Sequence, residues 1–208
     1  MSYSKVFGLG LSRTGTTSLH AAALLLRKST IHYPVQISHK WISGNFSTDA
    51  TEPFTFYTDT PVPAYFREFD NSCPNSKFIL TIRDPDIWIN STEKFFEDDV
   101  PNSNKTTWRD VNRLAVYGII KFNRQRFIDV YNRHCDDVIK YFRNRKNDLL
   151  ILNVEEESNP WVPLCEFLET DVPVEKYPHM RSPDLGELQY VLPKEIEYKR
   201  AILQKLLI

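Results

Sequence analysis

The chain of 208 residues predicts an α/β fold in three layers, with a central, mostly parallel sheet of about four to five strands flanked by helices. Three observations predict it. Val6-Phe7-Gly8-Leu9 is a short apolar strand that runs into a glycine, serine and threonine-rich turn and then into an apolar helix. Lys77-Phe78-Ile79-Leu80-Thr81-Ile82 is a nearly continuous apolar and β-branched run of the kind that parallel sheets bury on both faces. Leu149-Leu150-Ile151-Leu152-Asn153-Val154 repeats that pattern, and a helical segment, Trp161 to Leu168, follows it.

Length and composition bound what such a fold can do. The soft prior of roughly 100–200 residues per domain makes 1–208 one domain with room for a sizeable core. Lysine plus arginine (26) nearly balance aspartate plus glutamate (27), so no nucleic-acid surface is expected and any basic patch is local. Met1 to Lys5 leads straight into the first strand without a signal-peptide pattern, and no apolar run reaches the roughly 20 residues of a membrane span. A soluble, cytoplasmic protein that does not engage membranes is the expectation, and its oligomeric state is left open. Cys73, Cys135 and Cys165 are odd in number and far apart, and the five histidines lack ligand spacing, so neither a disulfide framework nor a metal site is expected.

The first turn, Gly10-Leu11-Ser12-Arg13-Thr14-Gly15-Thr16-Thr17, has the chemistry of a phosphate loop. Glycines let the backbone approach an anion, and the helix that follows offers its positive dipole end. Gly10 and Gly15 have the glycine spacing of a Walker A loop, yet Thr16 stands where the lysine belongs. A nucleoside-triphosphate loop without that lysine cannot reach the terminal phosphates, so a different anion is expected, met by Arg13, Thr14, Thr16 and Thr17. A Gly-containing turn with a threonine cap is the bland alternative.

From Thr17 to Lys28, Leu19, Ala22, Ala23 and Leu26 form the stripe of a helix that the sheet should cover, and His20 is expected to be a packed or surface residue in it. Ile31 to Ser47 is irregular, with one helical turn at Trp41-Ile42, and reads as a lid or acceptor wall. Glu52 to Pro61 is β-rich and stops at the proline, before a helix carrying Ala64, Tyr65, Phe66, Glu68 and Phe69. Asp59 thus lies at a strand's carboxyl end, where open α/β sheets form their ligand crevice, or it serves as a plain helix cap. The strand at 77–82 ends on Arg83, Asp84-Pro85 starts the next helix, and Ser91 lies about two turns in. Arg83 and Ser91 can therefore face the same crevice.

Thr106 to Asn144 carries apolar and aromatic residues at helical spacing and reads as two helices broken near Arg133-His134-Cys135, with the aromatics in the core. Glu155-Glu156-Glu157 reads as a solvated charge run. Val172 to Arg181 is an extended loop because of its prolines, and a final helix is expected from Pro193 to Leu207.

These residues carry a resemblance. Arg13-Thr14-Gly15-Thr16-Thr17-Ser18-Leu19 followed by Arg83-Asp84-Pro85 with Trp88 resembles the branch of sulfotransferases with R-T-G-T-x-S-L and R-D-P-x-x-W motifs, over Val6 to Arg181. The resemblance implies a P-loop-like fold that binds 3′-phosphoadenosine 5′-phosphosulfate (PAPS) and releases 3′-phosphoadenosine 5′-phosphate (PAP), without a metal. Arg13 to Thr17, including Gly15, match the 5′-phosphosulfate motif, usually K-S-G-T-T in the cytosolic enzymes, and Arg83 and Ser91 match the arginine and serine that hold the 3′-phosphate. Thr58-Asp59-Thr60-Pro61 falls where those enzymes carry T-H-L-P, so this branch uses an acid, Asp59, as general base, with Arg13 serving chemistry as well as binding.

The family's lysine before the base is Tyr57 here, the loop's tryptophan is Ser18, and no R-K-G loop is present. Tyr177-Pro178-His179-Met180-Arg181 resembles the branch's F-P-H-x-N element and offers Arg181 as a phosphate contact. The implied reaction is in-line sulfuryl transfer to a hydroxyl or amine of a small, partly apolar acceptor. A P-loop nucleotide or small-molecule kinase with Asp84 on magnesium, and a non-catalytic PAP-binding protein, are the alternatives.

Overall fold

The computed structural model describes residues 3–46, 53–97, 106–181, 184 and 186–207. Ser47 and Glu52, with which two of the segments above end and begin, lie outside them. Five parallel strands build the sheet: β1 (Val6–Gly8), β2 (Thr30–His32), β3 (Phe56–Thr58), β4 (Lys77–Thr81) and β5 (Leu149–Leu152). A sixth, β6 (Tyr190–Val191), runs antiparallel to β2, and the order is β5-β4-β1-β3-β2-β6. Short strands suffice in the middle because every residue of β1, β2 and β3 is buried, so each can be apolar or β-branched without alternation.

Successive side chains leave a strand on opposite faces, and β1 shows it: Val6 packs into one core and Phe7 into the other. On the Val6 face lie the helices α1 (Thr16–Leu25), α7 (Trp161–Leu168) and α8 (Ile196–Leu206). On the Phe7 face, Trp41 of α2 (Val35–Ile42), Phe66 and Phe69 of α3 (Phe66–Ser72) and Phe142 of α6 (Arg124–Phe142) cover the sheet. A third cluster of Leu11, Trp88, Phe96, Tyr117 and Phe127 joins α4 (Pro85–Glu97) and α5 (Trp108–Tyr117) to α6 beyond the strand ends. Three layers thus stand as predicted, with helices on both faces of the sheet. Among the described residues no helix is long and apolar enough to cross a membrane.

Several local expectations are corrected. Helix α1 ends at Leu25 rather than Lys28, because Arg27 takes φ 58 and the N–H groups of Arg27 and Lys28 turn back to the carbonyls of Leu24 and Ala23, a Schellman ending. Trp41-Ile42 closes an eight-residue helix rather than a single turn, with Trp41 packed on Phe69 and Tyr57 in the core, while His32 and Tyr33 of the same segment line the crevice. The break in 106–144 falls at Gly118–Asn123, not at Arg133-His134-Cys135. Gly118 adopts φ 71 at the end of α5, and the Asn123 side chain caps α6 by accepting from the Arg126 N–H at 2.9 Å. Strand β6 lies between the Val172–Arg181 loop and the last helix, where no element was predicted, and a 3₁₀ turn at Pro193–Glu195 stands where the first turn of that helix was expected.

Candidate functional site at the strand carboxyl ends

Because β1 to β5 are parallel, the turns after Gly8, His32, Thr58, Thr81 and Leu152 all open on one edge of the sheet. A cavity of about 720 Å³ lies there. Its wall includes Ser12, Arg13, Gly15, Thr16 and Thr17 from the first turn, His32, Asp59, Arg83, Ser91 and Arg181.

The turn is shaped from inside. A Cβ on Gly10 would sit 1.8 Å from Thr81 Oγ1 and 2.7 Å from the Thr81 carbonyl, so only glycine lets β1 and β4 run this close. Arg13 (φ 76) and Gly15 (φ 99) then reverse the chain in left-handed conformations, and Gly15 begins α1 without any side-chain cap or acidic residue in its first turn. Gly15, Thr16, Thr17 and Ser18 at that terminus line the cavity, and an uncapped helix N-terminus favours an anion. Thr16 and Thr17 line the cavity. Thr14 does not: its hydroxyl donates to the Leu11 carbonyl at 2.7 Å and meets Thr81 Oγ1 at 2.7 Å inside the fold.

Among the described residues five arginines line the cavity: Arg13, Arg83, Arg109, Arg113 and Arg181. Arg13 donates from Nε to Ser91 Oγ at 3.1 Å and lies over the Phe95 ring at 5.4 Å. Burial, followed by the charges of Arg83 and Arg181, pushes Arg13 below its ordinary pKa, and Asp59 opposes them. Arg83 reaches the Arg13 carbonyl at 3.3 Å and forms a two-pronged pair with Glu155, at 2.6 and 2.8 Å. Glu155 is therefore not part of a purely solvated run: it holds the strand-end arginine. The Tyr131 hydroxyl fixes the backbone of Arg83, accepting from its N–H and donating to its carbonyl at 2.6 Å. Tyr131 in turn stacks on Trp88, whose indole N–H donates to the Ser12 carbonyl at 3.0 Å. Aromatics of the third core thus brace both the first turn and the end of β4.

Asp59, 7% exposed with φ 70, follows β3 and takes donors on both oxygens. Oδ1 accepts from the Ser12 hydroxyl by a short bond and from the Thr60 N–H at 2.6 Å. Oδ2 accepts from His32 Nε2 at 3.1 Å and from Thr16 Oγ1 at 3.2 Å. Burial raises its pKa, but His32, Ser12 and the Thr60 N–H outweigh burial and hold the carboxyl below its ordinary value. Its carboxylate is not a helix cap. Asp84, by contrast, spends its carboxylate capping α4, accepting from the N–H groups of Asp86 and Ile87 at 3.0 Å.

The C-terminal loop closes the cavity where Ser18 Oγ accepts from the Met180 N–H at 3.0 Å, so the residue in the tryptophan position anchors His179-Met180-Arg181. Sequence reasoning missed His32, Ser12's contact with Asp59, Glu155's pairing, and the stripe Arg109, Arg113 and Tyr117 that α5 presents to the cavity. The available signals were the placement of His32 at a strand end before Pro34 and the i, i+4, i+8 spacing of that stripe.

Fold and site define a P-loop-like α/β protein with its crevice at the strand carboxyl ends. A family model for the sulfotransferase domain matches residues 5–184, and the chain belongs to that family. It is also similar to "Ava biosynthesis cluster protein M" of Aspergillus versicolor, 23% identical over 223 residues that span 86% of this chain and 82% of that protein.

Proposed function

We propose that the protein transfers the sulfuryl group of PAPS to a hydroxyl or amine of a small-molecule acceptor by in-line displacement, with Asp59 as general base. The observation that carries this reading is the convergence of Arg13, Arg83 and Arg181 on a cavity floored by the glycine turn and the start of α1, beside the buried carboxylate of Asp59. Guanidiniums that repel one another at the cavity suit a polyanion, and a donor set of arginines and hydroxyls suits phosphate and sulfate oxygens.

In this reading Arg13, Gly15, Thr16 and Thr17 hold the 5′-phosphosulfate, with Arg13 meeting charge that develops on the leaving oxygen. Preorganised donors of that kind are each worth roughly 3 kcal/mol in the transition state. Arg83, Ser91 and Arg181 hold the 3′-phosphate. Thr14 contributes through the fold of the turn, because its hydroxyl faces inward. Against the kinase alternative, Asp84 caps α4 through Oδ1 and does not line the cavity, and among the described residues no lysine lines it either.

Thermal shift tests the reading. PAP at about 100 times its Kd should add about 2.7 kcal/mol of stability without magnesium. Stabilisation by ATP with magnesium instead would overturn it in favour of a kinase, and PAP binding without PAPS turnover would make the protein a non-catalytic binder.

A further inference from the structure

Asp59 has no place for a further donor. A carboxylate offers about four lone-pair sites, and Ser12, the Thr60 N–H, His32 and Thr16 occupy them. An acceptor hydroxyl that docks directly on Asp59 must evict one of the four.

Ser12 is the member best placed to receive a proton. It is half-buried, it lines the cavity, and its backbone is pinned by Trp88. Its single proton is committed to Asp59, leaving its oxygen as an acceptor, with Thr60 Oγ1 at 3.1 Å as one neighbour. The rival hydroxyl, Thr16, is 2% exposed and makes a longer bond to the carboxylate. A second observation points to a ligand oxygen beside Ser12. The Tyr117 hydroxyl is buried on a residue that lines the cavity, and it makes no hydrogen bond of good geometry although the Ser12 and Thr60 hydroxyls lie close enough to oppose the rise that burial gives its pKa. A buried phenol without a partner is costly to keep unless something completes it.

We propose that Ser12 relays the acceptor's proton to Asp59, an inference that rests on the sulfotransferase reading above. As the acceptor oxygen bonds to sulfur, the bond from sulfur to the bridging phosphate oxygen breaks and leaves its electron pair on PAP. The acceptor's proton passes to Ser12 Oγ while the Ser12 proton passes to Asp59 Oδ1. The neutral carboxyl then donates back to Ser12 and returns its proton to solvent after the product leaves.

The test uses PAPS with an aliphatic alcohol taken from a panel of small acceptors. Ser12→Ala should lower the single-turnover transfer rate about 10²-fold or more, the scale of lost proton-transfer catalysis, with PAP affinity unchanged. Direct transfer to Asp59 requires the opposite, because Ser12→Ala opens the Oδ1 site and removes one bond that depresses the carboxyl's pKa. A retained or raised rate overturns the relay. On the wild-type protein, transfer rates in mixed H₂O and D₂O should follow a curve that needs two protons in flight, and a straight line also overturns it. If Ser12→Ala loses PAP binding as well, that wild-type measurement decides alone. Asp59→Asn separates the two readings: an active Asp59→Asn sinks the base assignment itself, whereas an inactive Asp59→Asn beside an active Ser12→Ala sinks only the relay.

Discussion

Glu155 sets a charge of the wrong sign beside the arginine proposed to take the 3′-phosphate. Its pair with Arg83 is 43% exposed on the carboxylate side, so screening keeps its worth small. Binding of PAP must nevertheless displace or crowd it. Glu155→Gln is therefore expected to tighten PAP binding by about 2–5-fold at low salt, with the gain shrinking as salt rises. Titration calorimetry at two ionic strengths checks this, and weaker binding would mean that Glu155 serves to aim Arg83 instead. Asp59 makes a second residue-scale prediction. Because its folded pKa lies below the ordinary 3.8, the base stays ionised across the neutral range, and no acid limb from this group should appear in kcat above about pH 4. The crevice position of Arg13, Asp59 and Arg83 was legible because each directly follows a strand or sits in its turn. His32 and Glu155 were not legible, since their partners are Asp59 and Arg83, far away in sequence and brought close only by strand order.

At the scale of elements, the turn before α1 depends on one residue that nothing else can replace cheaply. Gly15 holds φ 99, and a Cβ there would sit 2.4 Å from Val154 Cγ2. Gly15→Ala should cost about 2–5 kcal/mol, the sum of a left-handed non-glycine residue and local overpacking. Adding Val154→Ala removes the clash but not the strain, so in a double-mutant cycle followed by chemical denaturation the two changes should couple favourably. Additive losses would show that the clash relaxes freely and that backbone strain alone matters. The strands β1, β4 and β5 and the helix α7 could be read because each lies in a run of consecutive apolar residues or apolar residues at helical spacing. The break at Gly118 was harder to see. Aromatics continue on both sides of it, and a single left-handed glycine outweighed the Arg133-His134-Cys135 stretch, where His134 is half-buried and bonds the Leu9 carbonyl at 2.7 Å. Two-residue β6 carries too little pattern to be seen at all.

Across the whole molecule, the C-terminal segment is fastened to the crevice through a buried histidine. Gln189 donates to the His32 carbonyl at 3.0 Å, and β6 pairs with β2. His20 in α1, fully buried, lies 2.7 Å from the Leu188 carbonyl through Nε2 and 2.9 Å from Thr30 Oγ1 through Nδ1. That arrangement fits a neutral ring donating from Nε2 and accepting at Nδ1. Burial first, and then the neighbouring His32, depress its pKa from 6.5 to about 3. The unfolded chain therefore binds a proton below about pH 6.5 that the folded chain refuses until about pH 3. Stability contributed by neutral His20 is full above the unfolded value and drains as pH falls, by about 3 kcal/mol between pH 7 and pH 4. Asp59, also depressed, adds its own loss only below about 3.8. Above about pH 3.8 only the His20 window is open, so His20→Asn should flatten urea-derived stability between pH 6.5 and 4 while leaving an acid fall below it. An unchanged slope in that variant would place the titrating group elsewhere and detach the acid sensitivity of the fold from the histidine that ties α1 to the C-terminal segment.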